Sequence, residues 1–313
     1  MSPRRGEDAL TAKISAAARR LAPRRAKGTR LVVGIGDDAA VVDIARGRYV
    51  FTTDTLVETI DFLPADRPET VGRRAAAANL SDLAAMGADP EGYLLTIGLG
   101  PGRRAAYAER IAAGVLAKMR PFGAALWGGD LSRAPATFVT IGAAGRAPHP
   151  IERSGAGAGD RLFATGRPGS AAEALALRRS RPDGAARAGR GEKPYLDPEP
   201  RVAFARELAR RRWATAMIDV SDGIGKDAHR LARSSRVRIV FFGIPAAVLG
   251  AASDDFELLF TAPPRHAAGI LALGRRYSTP VSEVGRVERG RGIFAEERGR
   301  RRRVPERGYD HLA

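Results

Sequence analysis

The chain has no cysteine. Disulfides, thiolate metal sites and a cysteine nucleophile are excluded together. Histidine is scarce, with four residues in 313, at positions 149, 229, 266 and 311; only His229 falls near an acidic motif, and it reads as a helix-surface residue. No apolar run approaches the roughly 20 residues needed to cross a bilayer, and the charged N-terminus lacks the continuous apolar stretch of a secretory signal. A cytoplasmic protein with no membrane partner is therefore expected. Lysine is rare too, supplying five of the 52 basic residues. The formal net charge of +17 would suit a nucleic acid or another acidic partner. The arginines, however, are scattered over apparent helix faces, and the densest run, Arg298 to Arg303, has no interleaved aromatics. A solvated arginine-rich surface accounts for them, so no nucleic-acid partner is expected. Small anionic substrates remain compatible with the charge.

Familiar nucleotide machinery is also missing. There is no GxxxxGK[ST] loop, no protein-kinase lysine set and no GxGxxG after the first strand, Gly34-Ile35-Gly36 being too short to serve. What the chain does have is carboxylate in ordered places. Asn79 to Ala88 reads NLSDLAAMGA, a helical stretch carrying Asp82 among Leu80, Leu83, Ala84, Ala85 and Met86. An unpaired carboxylate buried there either neutralises or finds a cation. GIGDDAAV places Asp37 and Asp38 after a strand, beside glycines, although a tight aspartate turn explains it equally well. Thr52, Thr53 and Asp54 offer three oxygen ligands at the end of an apolar strand. Gly128-Gly129-Asp130 would let backbone approach a phosphate beside an acid, and alone is only a turn. Asp219 and Asp222 bracket Ser221 at a strand-to-helix junction, where one of them could simply cap the helix. Together these oxygen-rich positions, with no histidine or cysteine among them, suit Mg²⁺ rather than zinc.

Between these motifs the pattern alternates. A helix is expected over Asp8–Leu21, then strands over Leu31–Ile35, Ala39–Ile44 and Tyr49–Thr53, and a long helix over Pro68–Met86 stopped by Gly87. Tyr93–Leu99, Ala124–Trp127 and Phe138–Ala144 read as strands, and Arg103–Met119 as a helix. After a glycine-rich junction at Ser154 to Gly159 the alternation resumes to Val281–Val287, interrupted at 180–199, which reads as loop by composition. A mixed α/β chain in two domains, 1–147 and 148–313, is the expectation.

In this order and spacing, GIGDDAAV, TTDTLVE, NLSDLAAMGADP, GGD, RSGAGAGD, ATGRPGSA and IDVSDG resemble the thiamine-monophosphate kinase family, part of the superfamily of aminoimidazole ribonucleotide synthetase. The match extends from Gly6-Glu7 to the terminal GYDH at Gly308 to His311. The resemblance implies an α/β (α+β) fold with two domains of the aminoimidazole ribonucleotide synthetase type, whose N-terminal domains pair into a β-barrel across a homodimer. It implies ATP and Mg²⁺ as cofactors, metals held by Asp38, Thr52, Thr53, Asp54, Asp82, Asp130, Asp219 and Asp222, and ATP contacts from Gly129, Arg153 and Ser221. The implied reaction moves the γ-phosphoryl group of ATP onto the phosphate of thiamine monophosphate. No side chain is expected to act as a catalytic base, because a phosphate acceptor is already ionised. The absence of cysteine sets the chain apart from the superfamily's selenophosphate synthetases and hydrogenase maturation factors.

Three departures from the family pattern gather at positions that would touch the acceptor. VEGVHF reads Val57 to Phe62 with Asp61 in the histidine's place; GGEDYEL has become the segment Ala251 to Leu258 with Asp254; and Glu306 stands where a tryptophan is expected. Leu131 also follows GGD in place of threonine. As substrate-binding residues, Asp61, Asp254 and Glu306 would favour an acceptor with an amine beside its phosphate. The alternatives are thus another small phosphorylated cofactor precursor as substrate, or a non-catalytic nucleotide-binding homologue.

Overall fold

The structure of the protein is a computed structural model that describes residues 29–34, 36–44, 47–180, 189 and 191–312. The helix expected over Asp8–Leu21 and the stretch 181–188 lie outside the described residues. In the first half, strands β1 (Thr29–Val33), β2 (Ala40–Ile44) and β3 (Gly47–Val57) are followed by helix α1 (Pro68–Ala85), β4 (Asp89–Leu99), α2 (Ala105–Met119), β5 (Ala125–Arg133) and β6 (Phe138–Arg146). The six strands form one sheet in the order β1-β2-β3-β6-β4-β5, with only the β4–β5 pair parallel. Strand β3 alternates: Val50 and Leu56 are buried, with Thr52 and Asp54 on the same side, while Phe51, Thr53 and Thr55 face outward.

Helix α1 is the centre of the molecule. Pro68 occupies its first turn, where a missing N–H costs nothing. Gly87, at φ 66°, ends it with a pair of bonds, Gly87 N–H to Ala84 O and Ala88 N–H to Leu83 O, both 2.8 Å. Most of the residues between are small or apolar and buried, with Arg74, Asn79 and Ser81 buried among them, and a helix of that kind belongs inside a protein. One side lies on the sheet. Another meets α2 so closely that a Cβ on Gly72 would stand 2.0 Å from the Ile111 carbonyl oxygen.

The second half contains β7 (Arg161–Thr165), α3 (Ser170–Arg179), α4 (Lys193–Leu196), α5 (Val202–Arg211), β8 (Ala216–Val220), α6 (Ile224–Ser235), β9 (Arg238–Phe241), α7 (Ala246–Leu249), β10 (Glu257–Ala262), α8 (Ala267–Arg276), β11 (Val281–Glu288), β12 (Gly292–Glu297) and β13 (Arg300–Arg303). Its seven-stranded sheet runs β13-β12-β9-β11-β7-β10-β8. Phe163, Phe204, Leu208, Met217 and Phe260 from this half share one continuous core with Val71, Leu80, Leu83 and Met86 of α1. Helix α1 is therefore clasped between the two sheets.

Two expectations are corrected, and one element is added. The segment 191–199, read as loop, contains α4 with Tyr195 and Leu196 buried. Gly128-Gly129-Asp130 lies inside edge strand β5 instead of a turn. The arginine run near the C-terminus forms β13, with Arg301 paired in register with Glu296.

Buried charge ties the halves together. Arg178 donates from Nε to Asp66 Oδ1 at 2.6 Å and from Nη1 to Glu192 Oε2 at 3.1 Å, and the Tyr195 hydroxyl donates to Asp66 Oδ2 at 2.8 Å. All three charged side chains are within 2% of complete burial. Removing one partner of a buried pair costs about 3–5 kcal/mol. Asp66→Ala should therefore lower the urea midpoint strongly, while Arg161→Ala, in an exposed pair with Glu283, should barely move it.

Candidate active site

Two sheet edges and the central helix converge on one acidic centre. Asp82 projects from α1, Asp38 from the turn before β2, and Asp219 from the end of β8; a carboxylate oxygen of each lies within 4.8 Å of the others. Their surroundings hold them in place. Thr52 Oγ1 donates to Asp82 Oδ2. Ser81 Oγ donates to Asp219 Oδ2 at 2.8 Å, and Ser221 Oγ to Oδ1 at 3.4 Å. Arg153 grips Asp38 with Nε and Nη2, both at 2.9 Å, and its backbone N–H reaches the Asp37 carboxylate at 3.1 Å. Asp54 shares a hydrogen bond with Asp82 and feels the charges of Asp61 and Asp222.

Crowded acids out of water resist ionisation. Burial, then the neighbouring Asp54, Asp219 and Asp38, raises the proton affinity of Asp82 well above the usual carboxylate range. Burial followed by Asp38 and Asp227 does the same to Asp219. Burial also pushes Asp54 up, and takes Asp37 and Asp227 each to about 7. Arg153 is the one cation bonded to the three-acid centre among the described residues, and it is committed to Asp38. The donors are all oxygen, close together and short of positive charge, which fits a hard divalent cation.

The remaining expected residues fall in different places. Asp222 lies at the start of the same helix junction but pairs with Arg230 at 2.7 Å and Lys226 at 3.2 Å. Thr53 points to the opposite face of β3 from Thr52 and Asp54. Asp130 sits on that outer face too, in register with Thr96, Thr140 and Thr55, so neither of these two side chains joins the acidic centre. Gly129 is in β5, where an added Cβ would stand 1.9 Å from the Leu95 carbonyl oxygen. The three acids at the expected acceptor positions each have an internal partner. Asp61 accepts the Val57 N–H at 2.8 Å. Asp254 pairs with Arg74 at 2.6 Å, and Glu306 with Arg233 at 2.5 Å.

Several site residues escaped the sequence. Asp227 accepts the N–H groups of Ser221 and Asp222, at 3.2 and 3.1 Å, and so shapes the loop that carries Asp222. Ser81 and the buried Arg74 belong to α1 itself. Their one signal was a polar side chain within a helix rich in small and apolar residues. His229, expected at the surface, is buried, and its Nε2 lies 3.0 Å from the Val304 carbonyl oxygen.

A two-sheet α/β fold with an all-carboxylate centre defines the class, and comparison with known proteins gives it a family. Residues 36–147 match the model for the AIR synthase related protein, N-terminal domain. The thiamine-monophosphate kinase of Archaeoglobus fulgidus is 35% identical over 289 residues, covering 88% of this chain and 90% of that one. That of Escherichia coli K12 is 32% identical over 314 residues, covering 92% and 95%. A solved structure of AaThiL complexed with AMPPCP and TMP superposes with a TM-score of 0.80 at 27% identity, covering 98% of this chain and 97% of its own. The chain belongs to the thiamine-monophosphate kinase family.

A carboxyl that holds its proton more tightly in the folded chain than in the unfolded one subtracts stability once pH exceeds its unfolded value, near 4, and the full loss is reached above its folded value. Asp82→Asn should thus raise the melting temperature of the metal-free protein at pH 7–8, by roughly 2 °C or more. The same variant should lose much of the further rise that millimolar Mg²⁺ gives the parent chain. Differential scanning fluorimetry with and without EDTA reads both effects.

Proposed function

We propose that this chain transfers the γ-phosphoryl group of ATP to the phosphate of thiamine monophosphate, releasing ADP and thiamine diphosphate. The observation that carries the proposal is the centre formed by Asp38, Asp82 and Asp219, whose oxygens lie within 4.8 Å of one another, in a chain 35% identical to a thiamine-monophosphate kinase. Both reactants are polyanions, and an acceptor phosphate oxygen needs no base to make it nucleophilic. Mg²⁺, when bound, would supply charge screening and alignment of the two phosphates. Asp38, Asp82 and Asp219 are the residues to hold it, with Asp54 and Asp222 beside them. Thr52, Ser81 and Ser221 keep the carboxylates oriented by donating to them. Arg153 would meet a nucleotide phosphate by exchanging part of its grip on Asp38 for it. The amine-bearing acceptor loses its support, since Asp61, Asp254 and Glu306 are engaged within the chain.

The working unit in this proposal is a homodimer. Strand β5 is exposed along its whole length at the edge of the first sheet. Phe51, Leu94, Leu126, Trp127 and Leu131 are all more than 40% exposed in this sheet. An apolar sheet surface with an open edge favours pairing with a second copy, and a barrel closed by two such sheets would leave no edge. It would also bring Gly129 and Asp130 to a partner's reactants. Residues 1–147 and 148–313 serve as the two domains, and the cytoplasm, where ATP is plentiful, as the place of work. Among the described residues no helix is long and apolar enough to cross a membrane.

The test incubates purified protein with Mg·ATP and thiamine monophosphate and follows thiamine diphosphate by chromatography. Diphosphate should form, and Asp82→Asn should cut turnover at least about 100-fold, the scale of losing a principal electrostatic element. Normal Mg·ATP binding with no diphosphate would instead favour the non-catalytic homologue. Leu131→Asp should shift the protein from dimer to monomer in light scattering; an unchanged mass would remove this sheet from the interface.

A further inference from the structure

Asp222 stands beside the acidic centre with its backbone fixed and its side chain engaged elsewhere. Its N–H donates to Asp227 Oδ2 at 3.1 Å, and its carbonyl accepts the Tyr309 N–H at 2.9 Å. Gly223 follows at φ 118°, a conformation that other residues rarely adopt, and a Cβ there would stand 2.2 Å from the Ala251 carbonyl oxygen. The main chain therefore has little freedom on either side of the residue. What can turn is the carboxylate. Its Oδ2 meets Arg230 Nη2 at 2.7 Å and Lys226 Nζ at 3.2 Å, both from helix α6. Arg230 is anchored in turn by Nη1 on Asp227 Oδ1 at 2.9 Å, so Asp222, Asp227 and Arg230 close a ring of polar contacts. Asp222 is nonetheless near enough for its charge to act on Asp54, which is bonded to Asp82.

We infer that Arg230 and Lys226 are positioning residues that withhold Asp222 from a divalent cation until a phosphate group takes up the guanidinium. The inference rests on the phosphotransfer reading, in which Asp222 serves beside Asp38, Asp82 and Asp219. A carboxylate already bonded to a guanidinium and an ammonium must give up those contacts before it can serve a cation. Its contribution to cation affinity is reduced by what the contacts are worth. The Asp222 and Arg230 side chains are only 14% and 16% exposed, so their attraction is weakly screened. A phosphate offers Arg230 the same charge and a matching pair of oxygens, and the exchange returns the carboxylate. Each ion then has a partner of opposite sign, guanidinium with phosphate and Asp222 with the cation. Asp227 keeps its hold on Nη1 throughout and serves as the pivot. Cation and phosphate thereby favour one another's binding, and the coupling is reciprocal.

Manganese binding to the purified chain, read as free Mn²⁺ by electron paramagnetic resonance in a titration without nucleotide, tests the assignment. Arg230→Gln should bind Mn²⁺ about three- to tenfold more tightly than the parent. Lys226→Gln, which removes the other cation from the same oxygen, should shift affinity in the same direction and serves alone should Arg230→Gln fail to fold. Arg230→Lys keeps the charge and should stay within about twofold of the parent. In an Asp222→Asn background the Arg230→Gln change should bring no gain, because the withheld ligand is gone. With a non-hydrolysable ATP analogue present, the advantage of Arg230→Gln should vanish. Unchanged or weaker Mn²⁺ binding in the two glutamine variants would overturn the inference. So would an equal gain in the Asp222→Asn background, which reports only the loss of a nearby positive charge. A parent chain that takes up no Mn²⁺, with or without the analogue, sinks the phosphotransfer reading and the inference with it. A parent that binds Mn²⁺ while neither variant gains sinks the inference alone.

Discussion

Everything in this molecule is arranged to place a carboxylate, Asp82, on a helix that has almost no solvent around it. Fifteen of the 18 residues of α1 are buried, and the helix is held by two sheets and by α2. A charge at such a position is unfavourable unless offset. Nearby groups make the position worse before they make it useful: Asp38, Asp54 and Asp219 all raise its proton affinity. The fold tolerates this concentration of like charge because the surrounding core is continuous across both halves. Stability gained in the core is set against repulsion at the centre, a concentration of perturbed acids of the kind found at functional sites.

The cation deficit is local. The chain has 17 more basic than acidic side chains, yet among the described residues the three-acid centre has one arginine bonded to it. Other arginines are directed elsewhere, into pairs such as Arg178 with Asp66 and Arg201 with Glu257 or into solvent. Arg153 is the exception, and it sits between Asp37 and Asp38. A guanidinium here keeps the acids from repelling one another apart while leaving Asp82 and Asp219 without a fixed partner of opposite sign. That arrangement leaves the centre short of positive charge, the condition a hard divalent cation would meet.

Much of this could be read from the chain. Pro68 and Gly87 bounded α1, and the acid in NLSDLAAMGA pointed to its role because a lone carboxylate among small apolar residues must either hold its proton or meet a cation. What the sequence hid depends on distant partners. Tyr195 orders α4 by reaching Asp66 and Arg74, more than 120 residues away, and a window of polar residues around it can only read as loop. Gly128 and Gly129 promised a turn, but parallel pairing with β4 outweighed glycine's local freedom. Strand β13 was hidden by four successive arginines, which take strand geometry through antiparallel pairing with β12, where Arg301 also meets Glu296 and Glu288.

The altered acceptor positions show how replaced residues become part of the scaffold. Asp254 and Asp61 both converge on Arg74: its Nη2 donates to the Asp254 carboxylate at 2.6 Å and to the Asp61 carbonyl at 3.1 Å, while Nη1 donates to the Tyr195 carbonyl at 2.7 Å. The same guanidinium lies 3.9 Å above the Tyr195 ring. One buried cation thereby joins the turn after β3, the approach to β10 and α4. An acid introduced at position 254 is charge-matched to this arginine rather than offered to a ligand. Neither departure from the family pattern therefore requires a change of substrate. Since Asp254 neutralises a cation that would otherwise be uncompensated inside the protein, the two residues form one structural unit beside the acidic centre.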